Sequence, residues 1–233
     1  MLLLESKTLE RSSVVANSAM NRERVCVGGN SYTKELSLNP VDLLRPRLKS
    51  QEHVAWLDLC CGTGKALIEA SRILSGDVRE SNLTIIGIDL VGMFEPYPSE
   101  LGFLQMQEAS VMDWEPDCSF DLITCVHGLH YIGDKLDLIQ RAISWLKEDG
   151  FFAANLDPTN LKFANGDIVG RRMIRELKKY GVDYKALKHL IVCEGRRKIN
   201  LGYQYLGADD KAGPNYTGQA AVDSYYRLAR NST

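Results

Sequence analysis

Short apolar runs alternate with amphipathic ones through the middle of the chain. Val54 to Leu59 is nearly all apolar and leads through a Gly-containing turn into a helical stripe of Ala66, Leu67, Ala70, Ile73 and Leu74, a strand–turn–helix pattern. Leu83 to Ile88 is a second, β-branched run that ends in Asp89. Near-continuous apolar strands of this kind belong to sheets covered on both faces. Phe103 to Met106, Phe120 to Val126 and Phe151 to Leu156 predict three more strands. Between the last two, Ile139, Ala142, Ile143 and Leu146 mark a helix that is expected to stop near Asp149-Gly150.

The flanks are less regular. The first 30 or so residues keep no sustained period and predict a loosely packed arm ending at Gly28-Gly29, a candidate lid. Pro40 can open a short helix through Leu43 and Leu44 that Pro46 limits. Past Pro158, Ile168, Met173, Ile174 and Leu177 predict a helix closed by Tyr180-Gly181, with Arg171, Arg172, Arg175, Lys178 and Lys179 on its outer face. Leu190 to Cys193 and Ile199 to Leu206 read as a hairpin around Glu194 to Lys198, and Ala220 to Ala229 as a last helix. Strands alternating with helices and finishing in a hairpin predict a three-layer α/β domain with one antiparallel strand.

Composition narrows the partners. With 233 residues, 45% hydrophobic and a formal charge of −2, the chain reads as one large domain with appendages. A sequence pI near 6.1 supplies no positive field for nucleic acid, so none is expected as a partner. No window approaches the roughly 18 apolar residues of a membrane helix. The Met1-Leu2-Leu3-Leu4 start turns charged at Glu5, Lys7, Glu10 and Arg11, which lacks the features of a secretion signal and predicts a cytoplasmic protein. Six cysteines, two of them the adjacent Cys60 and Cys61, fit neither a disulfide scaffold nor a metal knuckle, so no metal is expected.

The chemistry concentrates at Leu57-Asp58-Leu59-Cys60-Cys61-Gly62-Thr63-Gly64-Lys65-Ala66, a Gly-rich turn between strand and helix, followed 25 residues after Gly64 by Asp89 at the end of the next strand. In an open α/β sheet, ligands bind outside the carboxyl ends of the strands, glycines admit the ligand close to the backbone, and an acid ending the second strand takes two ribose hydroxyls. A nucleoside-containing ligand is implied. Leu67 stands where a dinucleotide fingerprint needs its third glycine, which disfavours NAD. Leu59 and Ala66 stand where a Walker loop needs glycine and a hydroxyl, which disfavours ATP.

LDLCCGTG, IIGIDL, SFDLITCVHGLHYI and LKEDGFFAANL together resemble successive motifs of the class I S-adenosylmethionine-dependent methyltransferases, from about Val54 to Leu156. The resemblance implies an α/β, three-layer, Rossmann-like doubly wound sheet of seven strands, the last antiparallel, with S-adenosyl-L-methionine as cofactor. It implies an arm and short helix over 1–50, a methyltransferase domain over 51–233, and substrate-specific segments over 157–233. Asp58, Gly62 and Gly64 would lie along the cofactor's amino-acid and ribose portions, with Cys60 in the family's first glycine position. Asp89, with Leu90 beside it, would hold the ribose hydroxyls, and Glu108 and Ala109 would face the adenine. Asp113 and Trp114 would flank the base.

By the same resemblance Val126, His127, His130 and Tyr131 would lie near the sulfonium and the acceptor. An imidazole there could act as base, since it titrates near pH 6.5 when unperturbed. Tyr32 is a candidate lid residue over the cofactor. No Asn/Asp-Pro-Pro-Tyr signature follows the fourth strand, which points away from DNA bases and glutamine and toward a small-molecule or peptide acceptor methylated on O or N. Tyr203, Tyr205, Tyr216, Tyr225 and Tyr226 either line an acceptor pocket or pack the core. Two rivals stay open: a regulator or partner subunit that binds the cofactor or its demethylated product without turnover, and an NAD-dependent oxidoreductase.

Overall fold

The computed structural model describes residues 3–16, 23–77 and 82–229; part of the expected N-terminal arm, 17–22, lies outside them. Two short helices, α1 (Ser6–Glu10) and α2 (Tyr32–Leu36), come first, then α3 (Pro40–Ser50). Ser31 caps α2 by accepting the Lys34 N–H, and Asn39 caps α3 by accepting that of Val41. Pro46 does not end α3. Its exposed ring removes one helical hydrogen bond at the surface, while Leu44 and Leu48 stay buried on the opposite face.

Next come β1 (Val54–Leu59), α4 (Lys65–Leu74), β2 (Leu83–Asp89), β3 (Leu104–Glu108), β4 (Phe120–Cys125), α5 (Lys135–Ser144) and β5 (Leu146–Asn155). The chain continues through β6 (Leu161–Phe163), α6 (Gly170–Lys179), β7 (Val182–Lys185), β8 (Leu190–Glu194), β9 (Tyr203–Asp209) and β10 (Asp223–Leu228). Seven strands form one sheet in the order β3-β2-β1-β4-β5-β8-β7. Its β1–β2, β1–β4, β2–β3 and β4–β5 pairs are parallel, whereas β8, the last of the seven along the chain, runs antiparallel to both β5 and β7. On one face Ile139, Ala142, Ile143, Met173 and Leu177 pack with Leu57, Ile123 and Phe152. On the other, Leu44, Leu48, Leu67, Ala70 and Leu74 pack with Trp56, Ile85 and Leu122. The expected three-layer α/β architecture is therefore present.

Several local expectations are corrected. α5 ends at Ser144, and Leu146, expected on its stripe, opens β5 opposite Phe120 beside a register shift. The partner of β8 in its hairpin is β7 and not the segment from Ile199. Ile199 and Leu201 are buried without joining a strand, and Tyr203 opens β9 in a second sheet ordered β6-β10-β9. The last helix is instead strand β10, because Tyr225 and Tyr226 pair with β9 on one side and β6 on the other. Ile168 is 60% exposed and no part of the buried face of α6. The described N-terminal residues are packed, not loose: Leu4 forms a β-bridge with Ala208, and Leu9, 1% exposed, sits with Val15, Ala208 and Val222.

Candidate active site at the carboxyl edge of the large sheet

The turn after β1 adopts three left-handed residues, Cys60, Gly62 and Gly64, with φ of 62°, 63° and 75°. Glycine takes such angles freely, but a cysteine there is strained by its Cβ. Neighbouring loops hold the turn in place. Asp89 Oδ2 accepts the Gly62 N–H at 2.9 Å and its Oδ1 accepts that of Val91 at 3.1 Å. Cys61 N–H donates to Ile88 O, and Ala109 N–H to Asp89 O. One carboxylate thus fixes the loops after β1 and β2, with both of its oxygens anchored in direction.

The loop after β4 is pressed against the first. A Cβ on Gly128 would lie 2.5 Å from Cys60 Cβ and 2.7 Å from the Cys125 sulfur, so only glycine fits. His127, just before it, is itself left-handed at φ 59°. Beneath these loops Asp58 is fully buried, accepting from Tyr32 Oη at 2.6 Å and from Thr124 Oγ1 at 2.5 Å. Trp56 Nε1 donates to Thr124 in turn. Burial pushes the Asp58 carboxyl up to about 7, against the pull of these two hydrogen bonds. The Tyr32 hydroxyl is raised well above its usual range by burial and by the adjacent Asp58.

These loops border a cleft. Cys60, Cys61 and Gly62 line it with Asp89, Leu90 and Val91, then with Ala109 to Met112 and with Val126, His127 and Gly128. Tyr32, Tyr131 and Gln219 also line it, and Ser6, Leu9, Glu10, Val15 and Arg24 add a wall from the N-terminal segment. Glu10 bonds the Ser110 hydroxyl across the cleft.

Of the residues singled out in the sequence, Tyr32, Cys60, Gly62, Asp89, Leu90, Ala109, Val126, His127 and Tyr131 meet on this wall. Asp58, Gly64, Glu108 and His130 do not line it. Asp58 supports it from below, and Gly64 starts α4 by accepting the Ile68 N–H. Glu108 lies against Gly92, where an added Cβ would meet its Oε2. Trp114 packs edge-on to Trp145 at 5.8 Å and donates to Gln107. The α6 basic residues Arg171, Arg172, Arg175 and Lys178 are exposed, as is Lys179. Tyr205, Tyr225 and Tyr226 pack in or against the core.

Sequence reasoning singled out His127, His130 and Tyr216 but missed Glu35, Arg24, His189 and Asp157, which cluster with them. His127 Nε2 lies 3.0 Å from Glu35 Oε2, and Arg24 Nε lies 3.8 Å from the same carboxylate. His127 Nδ1 is 3.4 Å from His130 Nε2 and 3.5 Å from Tyr216 Oη. Tyr216 stacks on His189 with ring centres 3.8 Å apart, and its N–H donates to Asp157 Oδ2. Burial first, and the neighbouring His127 second, hold the His130 pKa well below the usual imidazole range. The His127 contact holds Glu35 below the usual carboxylate range. Three of the chain's four histidines meet here, yet among the described residues no group of His, Cys, Asp and Glu is arranged to hold a metal ion.

The large sheet, parallel but for one strand, thus carries a cleft at its carboxyl edge, where open α/β sheets bind ligands. Residues 32–163, more than half of the chain, match the model of a family described as a methyltransferase domain, and the chain belongs to that family. Among solved structures it is similar to YjhP from E. coli, at 16% identity over 61% of this chain and 54% of that one, with a TM-score of 0.39. It is also similar to the plantazolicin methyltransferase BpumL in complex with SAH, at 12% identity over 64% and 55% of the two chains and a TM-score of 0.42. A third is coclaurine N-methyltransferase bound to N-methylheliamine and SAH, at 15% identity over 66% and 45% and a TM-score of 0.36. The chain spans about half the length of these structures. No curated protein matches it. Among the described residues no helix is long and apolar enough to cross a membrane.

Proposed function

We propose that this protein is an S-adenosylmethionine-dependent methyltransferase that methylates a small-molecule or peptide acceptor on oxygen or nitrogen. The observation that carries the reading is Asp89, whose carboxylate ends β2 at the cleft and is aimed by the Gly62 and Val91 N–H groups. A carboxylate so placed suits the two hydroxyls of a ribose. Leu90, Ala109 and Val111 offer an apolar slot for a purine, and the left-handed turn from Cys60 to Gly64 brings backbone close to the amino-acid portion. The cofactor supplies an electrophilic methyl on a sulfonium. The chain's own contribution is alignment and exclusion of water. His127 and Tyr131 stand where the acceptor would meet that methyl, with His130 behind them. The N-terminal segment acts as a roof over the cleft, and 157–233 carry acceptor specificity. Six free cysteines suit work in the reducing cytoplasm.

Calorimetry with S-adenosylmethionine and S-adenosylhomocysteine tests this on wild type and Asp89→Ala. Hydrogen bonds to a charged group contribute about 1.5–3 kcal/mol, so the variant should bind roughly ten- to a hundredfold more weakly. A folded wild type that binds neither ligand overturns the reading. Binding without transfer to any acceptor in a screen favours a regulator.

A further inference from the structure

Glu10 closes α1, half-buried on the cleft wall that Ser6, Leu9 and Val15 also make, and the Ser110 hydroxyl donates to its Oε1 from the loop after β3. Ser110 is itself fixed. Its Oγ accepts the Met112 N–H at 3.2 Å, its carbonyl accepts those of Asp113 and Trp114, and Arg141 of α5 donates to Met112 O at 2.8 Å. The other side is anchored too: Leu9, one residue before Glu10, is buried with Val15, Ala208 and Val222, and Leu90 packs against that cluster.

Among the described residues, Ser110 is the one hydrogen-bond partner of the Glu10 side chain, and no ion pair reaches it. A charge at an apolar wall costs free energy until donors surround it, and Oε2 has its acceptor capacity left for a ligand. Glu108, the carboxylate that the family resemblance places at the adenine, is exposed and lies against Gly92, off the cleft. The apolar slot of Leu90, Ala109 and Val111 therefore has Glu10 beside it in place of Glu108.

We infer that Glu10 reads the base of the bound nucleoside: its carboxylate accepts an N–H of the 6-amino group of adenine, so the N-terminal segment both roofs the cleft and selects the cofactor's base. This rests on the methyltransferase reading above and adds a residue to its cofactor site. An ionised carboxylate only accepts. The 6-amino group has two N–H groups to give, whereas the 6-oxo group of hypoxanthine or guanine presents lone pairs that the carboxylate repels. Ser110 holds Oε1 and leaves Oε2 for the amine, and anchoring on both sides means that little ordering is needed when the ligand arrives. A site built around such a hydrogen bond rejects the analogue that cannot make it far more strongly than an apolar slot rejects a small change of shape.

Calorimetry with S-adenosylhomocysteine and S-inosylhomocysteine, in which a 6-oxo group replaces the amine, reads this choice as a ratio of affinities. Wild type should prefer S-adenosylhomocysteine, and Glu10→Ala should lower that preference by about ten- to a hundredfold, the worth of a hydrogen bond to a charged group. Glu10→Gln should fall between the two, because its amide can turn an acceptor toward the amine or a donor toward the oxo group. Ser110→Ala removes the tether and keeps the carboxylate, so it should weaken both ligands alike with the preference retained. A wild type without preference, or a Glu10→Ala that weakens both ligands equally, overturns the inference and leaves the segment as a wall alone. Wild type that binds neither ligand removes the methyltransferase reading and this inference with it. Wild type that binds S-adenosylhomocysteine, with its preference intact in Glu10→Ala, removes this inference and spares the reading.

Discussion

Asp58 is a carboxyl buried under a ligand cleft, and its protonation carries a cost that can be measured. Its pKa of about 7 in the fold lies above the roughly 3.9 of an unfolded chain. Below about pH 4 both states hold the proton and no stability is lost. As pH rises toward 7 the unfolded chain releases a proton that the fold retains, and stability falls, by on the order of 4 kcal/mol once both states are ionised. Asp58→Asn removes this dependence while keeping partners for Tyr32 and Thr124. In urea titrations without ligand, the variant should gain on wild type between pH 5 and pH 8. An equal gap at both pH values would show that Asp58 is already ionised in the fold. Asp58 and Gly62 were readable because they stand a few positions apart on one strand–turn motif, and Asp89 because it ends the next apolar strand, which parallel pairing sets beside the first. Glu35 was not, because its meeting with His127 joins residues far apart in the chain, and nothing near Glu35 announces it.

At the scale of elements, α5 and β10 are joined by a lysine. Lys135 is fully buried at the start of α5 and donates to Ile132 O, Val222 O and Ser224 Oγ at 2.7–2.8 Å. Lys135→Met leaves those acceptors without their donor in a dry site, so a loss of about 2–4 kcal/mol is expected in chemical denaturation. A loss below about 0.5 kcal/mol would mean that water replaces the ammonium. β1, β2 and β4 of the large sheet were legible because they are apolar on both faces, and α4 because its stripe keeps helical spacing, whereas the half-exposed edge strand β7 carries no such run. β10 was not. Ala220 to Ala229 satisfies a helical pattern as well as a strand, and only pairing with β6 and β9, far away in sequence, decides between them. The split of Ile199 to Leu206 has the same cause: Tyr203 onward follows β10 into the second sheet.

For the molecule as a whole, the N-terminal segment is part of the cleft. Ser6, Leu9, Glu10 and Val15 line it, and Leu4 exchanges both backbone hydrogen bonds with Ala208 in β9. Deleting residues 1–16 should leave the seven-stranded sheet folded by circular dichroism and weaken S-adenosylhomocysteine binding at least about tenfold, since one apolar wall is lost. Unchanged affinity would make the segment a bystander. The three-layer domain was legible from the alternation of strands and amphipathic helices. The anchoring of the segment was not, because it depends on a strand some 200 positions downstream.

The bridge between Leu4 and Ala208 also sets an order of events. During synthesis Leu4 emerges some 200 residues ahead of its partner strand, and contacts of such high sequence separation form slowly. The large sheet can therefore assemble while its cleft is still open on one side. A nascent or truncated chain that stops before β9 would carry a folded core and an incomplete pocket.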